Sequence, residues 1–96
     1  MAQELTLKFF ESLAGKTFAV QPAGTLHLAS VTPGRQQPGY EIFSLIFHGP
    51  ASSVLPQGSY NLQAEGIEPM DIFLVPIGPV GGQMQYQALF NRLIAG

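Results

Sequence analysis

The two histidines, His27 and His48, are the residues of this sequence best suited to hold a metal or to move a proton near neutral pH. Either chemistry needs the imidazoles to meet carboxylates in space, because such sites combine several ligands or proton partners. His27 points away from its neighbours Leu26 and Leu28 in a predicted strand, and His48 ends another strand. No HExxH or similar spacing connects them. The sequence therefore favours histidines that are solvated or hydrogen-bonded within the core, and it predicts no metal site.

The serines, acids and glycines lack the motifs that their chemistry requires. Ser52 and Ser53 lie outside any GxSxG pattern, and no strand-to-helix elbow follows them. Glu68 and Asp71 form the closest acidic pair, which a solvated turn before a strand explains. Residues 78–82, GPVGG, precede a strand and lack the helix N-terminus of a phosphate site, so they predict a hairpin turn. We therefore predict neither an enzyme nor a cofactor.

The first element expected along the chain is a short amphipathic helix in residues 6–13, TLKFFESL. Leu7, Phe10 and Leu13 recur at helical spacing, and Thr6 is a candidate N-cap. Apolar residues also alternate through the overlapping segment ELTLKF, so a first β-strand is the competing interpretation.

Beyond residue 16, apolar and polar residues alternate and are interrupted by Pro and Gly, which is typical of antiparallel all-β domains. The connections are too short for parallel crossovers, which need a dozen or more residues. We predict a mainly β single domain over residues 1–96, an antiparallel six-stranded β-barrel connected as a meander, with the N-terminal helix over a mouth or one side. A β-sandwich is the alternative. The predicted strands are residues 17–20, 25–31, 40–48, 59–65, 70–77 and 83–91.

Two of these strands, 40–48 and 70–77, carry apolar side chains on both faces. One face can fill a barrel, while the other needs a cover from the helix, a loop or another chain, because burying each such side chain is worth about 1.5 to 3 kcal/mol. Pro76 cannot donate a ladder hydrogen bond and predicts a sheet edge or a bulge. We predict that the second face binds a partner protein or forms a homo-oligomer. Its proposed interface residues are Ile42, Ile46, Ile72 and Leu74.

Residues 46–62, IFHGPASSVLPQGSYNL, contain the longest candidate binding loop. Pro56 and Gly58 fit a type I turn, which predicts a hairpin connection that a substitution of Gly58 would disturb. A second functional hypothesis has this loop and residues 78–82 frame a barrel mouth that binds a small molecule or carbohydrate. The residues predicted to make contacts here are His48, Ser52, Ser53, Gln57 and Tyr60.

The composition limits the possible partners. Charged residues are only 10% of the chain and hydrophobic residues 46%, a balance that favours a subunit of an assembly. Four scattered cations and a net charge of −2 argue against nucleic-acid binding. The absence of cysteine excludes disulfides and thiolate metal sites. With no signal-peptide pattern and no apolar run of about 20 residues, we expect a protein without membrane insertion that is cytoplasmic or exported by a route that the sequence does not reveal.

Several segments resemble, in order, those of a known protein family. They are FSLIFHGP, LPQGSYNL, IFLVPIGP and MQYQALFN, and FESLAGKTF resembles the family's opening. The family consists of small bacterial proteins and is described only as a domain of unknown function, so the resemblance implies no activity, cofactor or catalytic residue. Its members are often encoded near phage-tail-collar-like proteins, so the resemblance implies an accessory or structural part in a tail-like assembly. We therefore predict a non-catalytic structural or protein-interaction module.

Overall fold

The computed structural model describes residues 5–21, 24–34 and 38–93. The elements are α1 (Leu7–Glu11), β1 (Thr17–Gln21), β2 (Thr25–Pro33), β3 (Tyr40–Pro50), β4 (Gly58–Ala64), β5 (Ile67–Val80) and β6 (Gln83–Leu93). The strands are antiparallel and form a closed barrel in the order β1-β2-β3-β6-β5-β4. The predicted mainly β, six-stranded barrel with a short N-terminal helix is confirmed.

Helix α1 begins where the sequence predicts. The Thr6 backbone is extended, and its Oγ1 accepts a hydrogen bond from the Phe9 N–H at 3.0 Å, which caps the first turn. Phe10 and Leu13 are buried, as the helical spacing requires. The alternative first strand in this segment is therefore wrong.

The helix closes the end of the barrel at which β3 begins and β6 ends. The Phe10 ring is fully buried, and its centroid lies 5.1 Å from that of Phe90 and 5.8 Å from that of Phe43. Glu41 at the start of β3 accepts a hydrogen bond from the Leu7 N–H at 3.0 Å through Oε1. Arg92 Nη1 lies 3.2 Å from the same oxygen. Aromatic packing and this shared carboxylate thus fix the helix on the barrel end.

Inward side chains of the strands fill the barrel. In β6, Tyr86 and Ala88 are buried and Met84 and Phe90 pack against the core, as the alternation in that strand predicts. The fully buried residues of β2 and β3 belong to the same cluster. They are Leu28, Leu45 and Phe47, with Leu26 and Phe43 at most 2% exposed.

The order of the strands differs from the predicted meander. β3 pairs with β2 and β6, whereas β4 pairs with β1 and β5, so two strands separate β3 from β4 in either direction around the ring. Residues 51–57 therefore cross the second end of the barrel and do not form a hairpin. We call them the crossing segment. Strands β1 to β4 form a Greek key, with the fourth strand returning beside the first.

The glycine-rich segment between β5 and β6 is the hairpin turn that the sequence predicts. Gly81 and Gly82 have φ of 54° and 79°, the left-handed conformation that a two-residue type I′ turn requires at both positions. The β5–β6 register shifts between Pro76 and Gly78. The bulge predicted at Pro76 is therefore present, and Pro76 also lies beyond the β4–β5 pairing, which reaches Leu74 opposite Gly58.

Candidate functional site

The outer faces of the adjacent strands β3, β6 and β5 form an apolar surface, which we call the outer wall. Its most exposed side chains are Leu89 of β6, at 75% of full exposure, and Phe73 of β5, at 52%. Ile46 of β3 and Val75 of β5 both lie opposite Gln87 of β6, so they flank it across three strands. Both are partly buried. Three neighbouring strands thus present large apolar side chains outward.

The outer wall contains half of the interface residues predicted from the sequence. Ile42 and Ile46 lie on the outer face of β3 and are partly buried. The prediction of Ile72 and Leu74 as interface residues is wrong, since they are 1% and 0% exposed and belong to the core. The side chains of β5 that face outward are instead Phe73 and the neighbouring Val75 and Ile77.

One signal for the correct face of β5 is present in the sequence. Asp71 is exposed and shares its face with Phe73, because side chains two apart in a strand point the same way. Asp71 Oδ1 accepts a hydrogen bond from the Asn61 side chain of β4 at 3.1 Å, on the outside of the barrel. The exposed Asp71 therefore indicates that the odd-numbered residues of β5 before Pro76 point outward from the barrel.

Two polar side chains at the centre of the outer wall are uncharged, whereas the exposed Asp71 lies at its border on the same face of β5 as Phe73. Ser44 of β3 lies opposite Leu89, and Gln87 lies between Ile46 and Val75. Hydroxyl and amide groups both donate and accept hydrogen bonds. The wall therefore combines apolar area with hydrogen-bonding groups that do not demand a partner of one particular charge.

The structure brings the two histidines together on another part of the barrel surface. His27 of β2 lies directly opposite His48 of β3, and both point outward. Thr17 of β1 continues this row on one side and Gln85 of β6 on the other. The sequence does not predict this pairing, because the β2–β3 alignment includes a register shift between Leu28 and Ser30.

A groove of about 370 Å³ lies beside the histidine row. It is lined by Thr17, Thr25, His27, His48, Pro50 and Gln83.

The histidine row does not include acidic side chains. Among the residues that the structure describes, no group of three or more His, Cys, Asp or Glu side chains could hold a metal ion. The side chains that neighbour the two histidines in the row, Thr17 and Gln85, are neutral.

The crossing segment closes the barrel mouth, and two tyrosines hold it. The Leu55 N–H donates a hydrogen bond to the Tyr86 hydroxyl at 2.8 Å, and the Tyr60 hydroxyl donates to the Pro56 carbonyl at 2.6 Å. A cavity of about 50 Å³ remains beside the segment, lined in part by Leu26, Leu55 and Ser53. Small-molecule pockets usually measure roughly 300–1,000 Å³, so this cavity is too small for such a ligand.

The residues predicted to make loop contacts do not form one site. Ser52, Ser53 and Gln57 are exposed along the crossing segment. Tyr60 is partly buried and packs against the core, and His48 belongs to the histidine row on the outer face of β3. The two serines and Gln57 therefore remain candidate contact residues, while Tyr60 supports the crossing segment from the core side.

The family described as domain of unknown function (DUF6916) matches residues 5–90. The chain belongs to this family. Neither a curated protein nor a solved structure matches the chain. The DUF6916 range includes helix α1, the crossing segment, the histidine row and the exposed residues of the outer wall. In the described parts of this family member, no helix is long and apolar enough to cross a membrane.

Replacing Tyr86 by phenylalanine is expected to lower the free energy of unfolding by about 1–2 kcal/mol, because the partly buried Leu55 N–H loses its acceptor. Hydrogen exchange at the Leu55 amide should accelerate in the same variant. Tyr60→Phe is the matched control, since it removes the exposed hydrogen bond to the carbonyl of the neighbouring Pro56. Equal losses in the two variants, measured by urea denaturation, would contradict the anchoring role of Tyr86.

Proposed function

We propose that this DUF6916 domain is a non-catalytic structural module that associates with a second copy of itself through the outer wall. The observation that carries the proposal is the exposure of Leu89 and Phe73 on adjacent strands, beside the partly buried Ile46 and Val75. Covering each large apolar side chain is worth about 1.5 to 3 kcal/mol. Contiguous apolar patches of this kind often mark interaction surfaces.

The chemistry of the wall favours a second copy over a charged partner. A two-fold contact places the same surface on both sides, so the surface has to be complementary to itself. Apolar residues satisfy this condition, and so do the side chains of Ser44 and Gln87, which can each donate to and accept from their symmetry mates. A wall of one charge sign would repel its copy.

Membership of a larger assembly is consistent with this role. Only 10% of the residues are charged, so electrostatic repulsion between copies of the chain is weak. The family resemblance, with its neighbouring phage-tail-collar-like proteins, supports a structural or accessory part in a tail-like assembly. Such assemblies are built from repeated subunits in symmetric contact.

The alternative function, binding of a small molecule or carbohydrate at the barrel mouth, has less support. The crossing segment covers that mouth and leaves a cavity of about 50 Å³, whereas the groove of about 370 Å³ lies beside the histidine row. The Tyr60 hydroxyl, a predicted ligand contact, already donates to the Pro56 carbonyl. We therefore prefer protein interaction to ligand binding.

The substitution Leu89→Glu tests the proposal, because it places a charge in the centre of the wall, opposite Ser44. We expect the wild-type chain to have at least the mass of a dimer in light scattering coupled to size-exclusion chromatography, and L89E to have the mass of a monomer. Desolvating a carboxylate without a partner costs several kcal/mol, which exceeds the gain from one apolar contact.

Ala19→Glu is the matched control for L89E. Ala19 is exposed on β1, which lies on the opposite side of the ring from β6, and the substitution adds the same charge. A19E should keep the wild-type mass, and both variants should keep the wild-type far-ultraviolet circular dichroism. A monomeric wild-type chain at high protein concentration, or an L89E variant that still associates, would overturn self-association through the wall.

A further inference from the structure

The pair His27 and His48 borders the interface proposed above, because His48 follows Ile46 on the outer face of β3, and it has a geometry of its own. Directly opposed residues in antiparallel strands have their Cβ atoms about 4.5–5.5 Å apart. Both side chains point away from the core, because the inward positions beside them belong to Leu26, Leu28 and Phe47. The two imidazoles therefore project side by side from a rigid sheet.

Two imidazoles at this spacing can bind one metal ion together. Imidazole nitrogen is a preferred ligand of Zn²⁺, Cu²⁺ and Ni²⁺ and binds Zn²⁺ at about 2.0–2.1 Å. The adjoining groove of about 370 Å³ leaves space on the solvent side for further ligands of the ion. Thr17 and Gln85, which flank the pair, offer neutral oxygen atoms. The surroundings thus suit a cation with two protein nitrogens and exchangeable oxygen ligands.

We propose that His27 and His48 form a two-histidine site for a divalent transition-metal ion. Water or an external ligand completes the coordination, since no third His, Cys, Asp or Glu joins the pair within the described residues. Affinity follows the general order for nitrogen ligands, so Cu²⁺ binds more tightly than Zn²⁺ or Ni²⁺. Mg²⁺ and Ca²⁺ do not compete, because they prefer sets of oxygen ligands.

The sheet explains why the pair should bind a metal ion more tightly than a single surface histidine does. Once one imidazole binds the ion, the second is held beside it at a high effective concentration, and its binding becomes intramolecular. In the unfolded chain, 20 residues separate the two positions, so this advantage is lost. The ion therefore binds the folded domain preferentially and stabilises it.

The test is a calorimetric titration of the untagged full chain with Zn²⁺, compared with the variants His27→Gln and His48→Gln. Each variant is expected to bind Zn²⁺ at least about tenfold more weakly, because it loses one arm of the chelate. Ser59→Ala, at an exposed position of β4, is the control and should bind as the wild type does. Affinity within about threefold of wild type in either histidine variant would overturn the site.

A second measurement separates binding from any change in folding. Both histidine side chains should shift their ¹⁵N imidazole resonances together as Zn²⁺ is added to the wild-type chain, and Mg²⁺ should leave them unchanged. Binding that perturbs only one of the two imidazoles, or neither, would overturn the proposal. Because both side chains lie on the outer face, the glutamine variants should keep the wild-type circular dichroism spectrum.

Discussion

Replacing Phe10 by alanine is expected to lower the free energy of unfolding by about 3–5 kcal/mol. The side chain is fully buried and packs against the rings of Phe43 and Phe90, so truncation leaves a cavity between the helix and the barrel. The total stability of a domain is commonly about 5–15 kcal/mol. The loss would therefore remove a large part of the stability of this chain.

Phe9→Ala is the matched control for this experiment. Phe9 belongs to the same helix, is only partly buried and contacts Phe10 edge to face with ring centroids 5.2 Å apart. Both variants gain the same helix propensity, so the difference between them isolates the packing at the barrel end. Urea denaturation at equal protein concentration measures both losses. A loss in F10A no greater than that in F9A would show that the helix does not close the core.

Gly49→Ala is expected to lower the free energy of unfolding by about 1–3 kcal/mol through overpacking. A methyl group at this position of β3 would lie 2.6 Å from Leu26 Cδ2 and 3.4 Å from Tyr86 Cε1. Both neighbours are buried, and the Leu26 side chain has to shift towards the cavity of about 50 Å³ beside it to make room for the methyl group. Close packing at Gly49, and not turn geometry, therefore requires a glycine at this position.

Gly58→Ala is the control, and its expected result corrects an expectation from the sequence. The nearest atom to a methyl group at Gly58 would be Tyr60 Cε2 at 3.9 Å, an ordinary contact, and Gly58 has no positive φ. The substitution should therefore change the thermal midpoint much less than G49A does. The turn argument for an intolerant Gly58 fails because Gly58 is the first residue of β4. A G58A variant as unstable as G49A would contradict the packing explanation.

Features determined by local chemistry could be predicted from the sequence. Thr6 caps α1 because its hydroxyl reaches a backbone N–H only three residues away. The alternation of Tyr86 and Ala88 with glutamines fixes the inner face of β6, since only one face of that strand is predominantly apolar. Strand β5 is different, because Phe73 and Leu74 are equally apolar and occupy opposite faces. Its orientation depends on the strands that pair with it.

Features that depend on distant residues could not be predicted in the same way. A seven-residue connection between β3 and β4 is compatible with a hairpin and with a crossing of the barrel end. The choice depends on the pairing of β3 with β6 and of β4 with β1. The contact between His27 and His48 likewise depends on the alignment of β2 with β3, which includes an irregularity. The histidine row therefore depends wholly on the alignment of the strands in three dimensions, whereas Ile42 and Ile46 of the outer wall could be predicted from the sequence.

The pairing of β3 with β6 also affects when the protein can fold during synthesis. The two strands are aligned from Tyr40 opposite Leu93 to Pro50 opposite Gln83, so β3 obtains this neighbour only after the last of the six strands has left the ribosome. A nascent chain that ends before β6 exposes one side of β3 and one side of β5 at the same time. Unpaired strand edges promote aggregation, and high contact order slows folding. The domain therefore folds after translation of its final strand, and chaperones that bind extended apolar segments would act on it before that point.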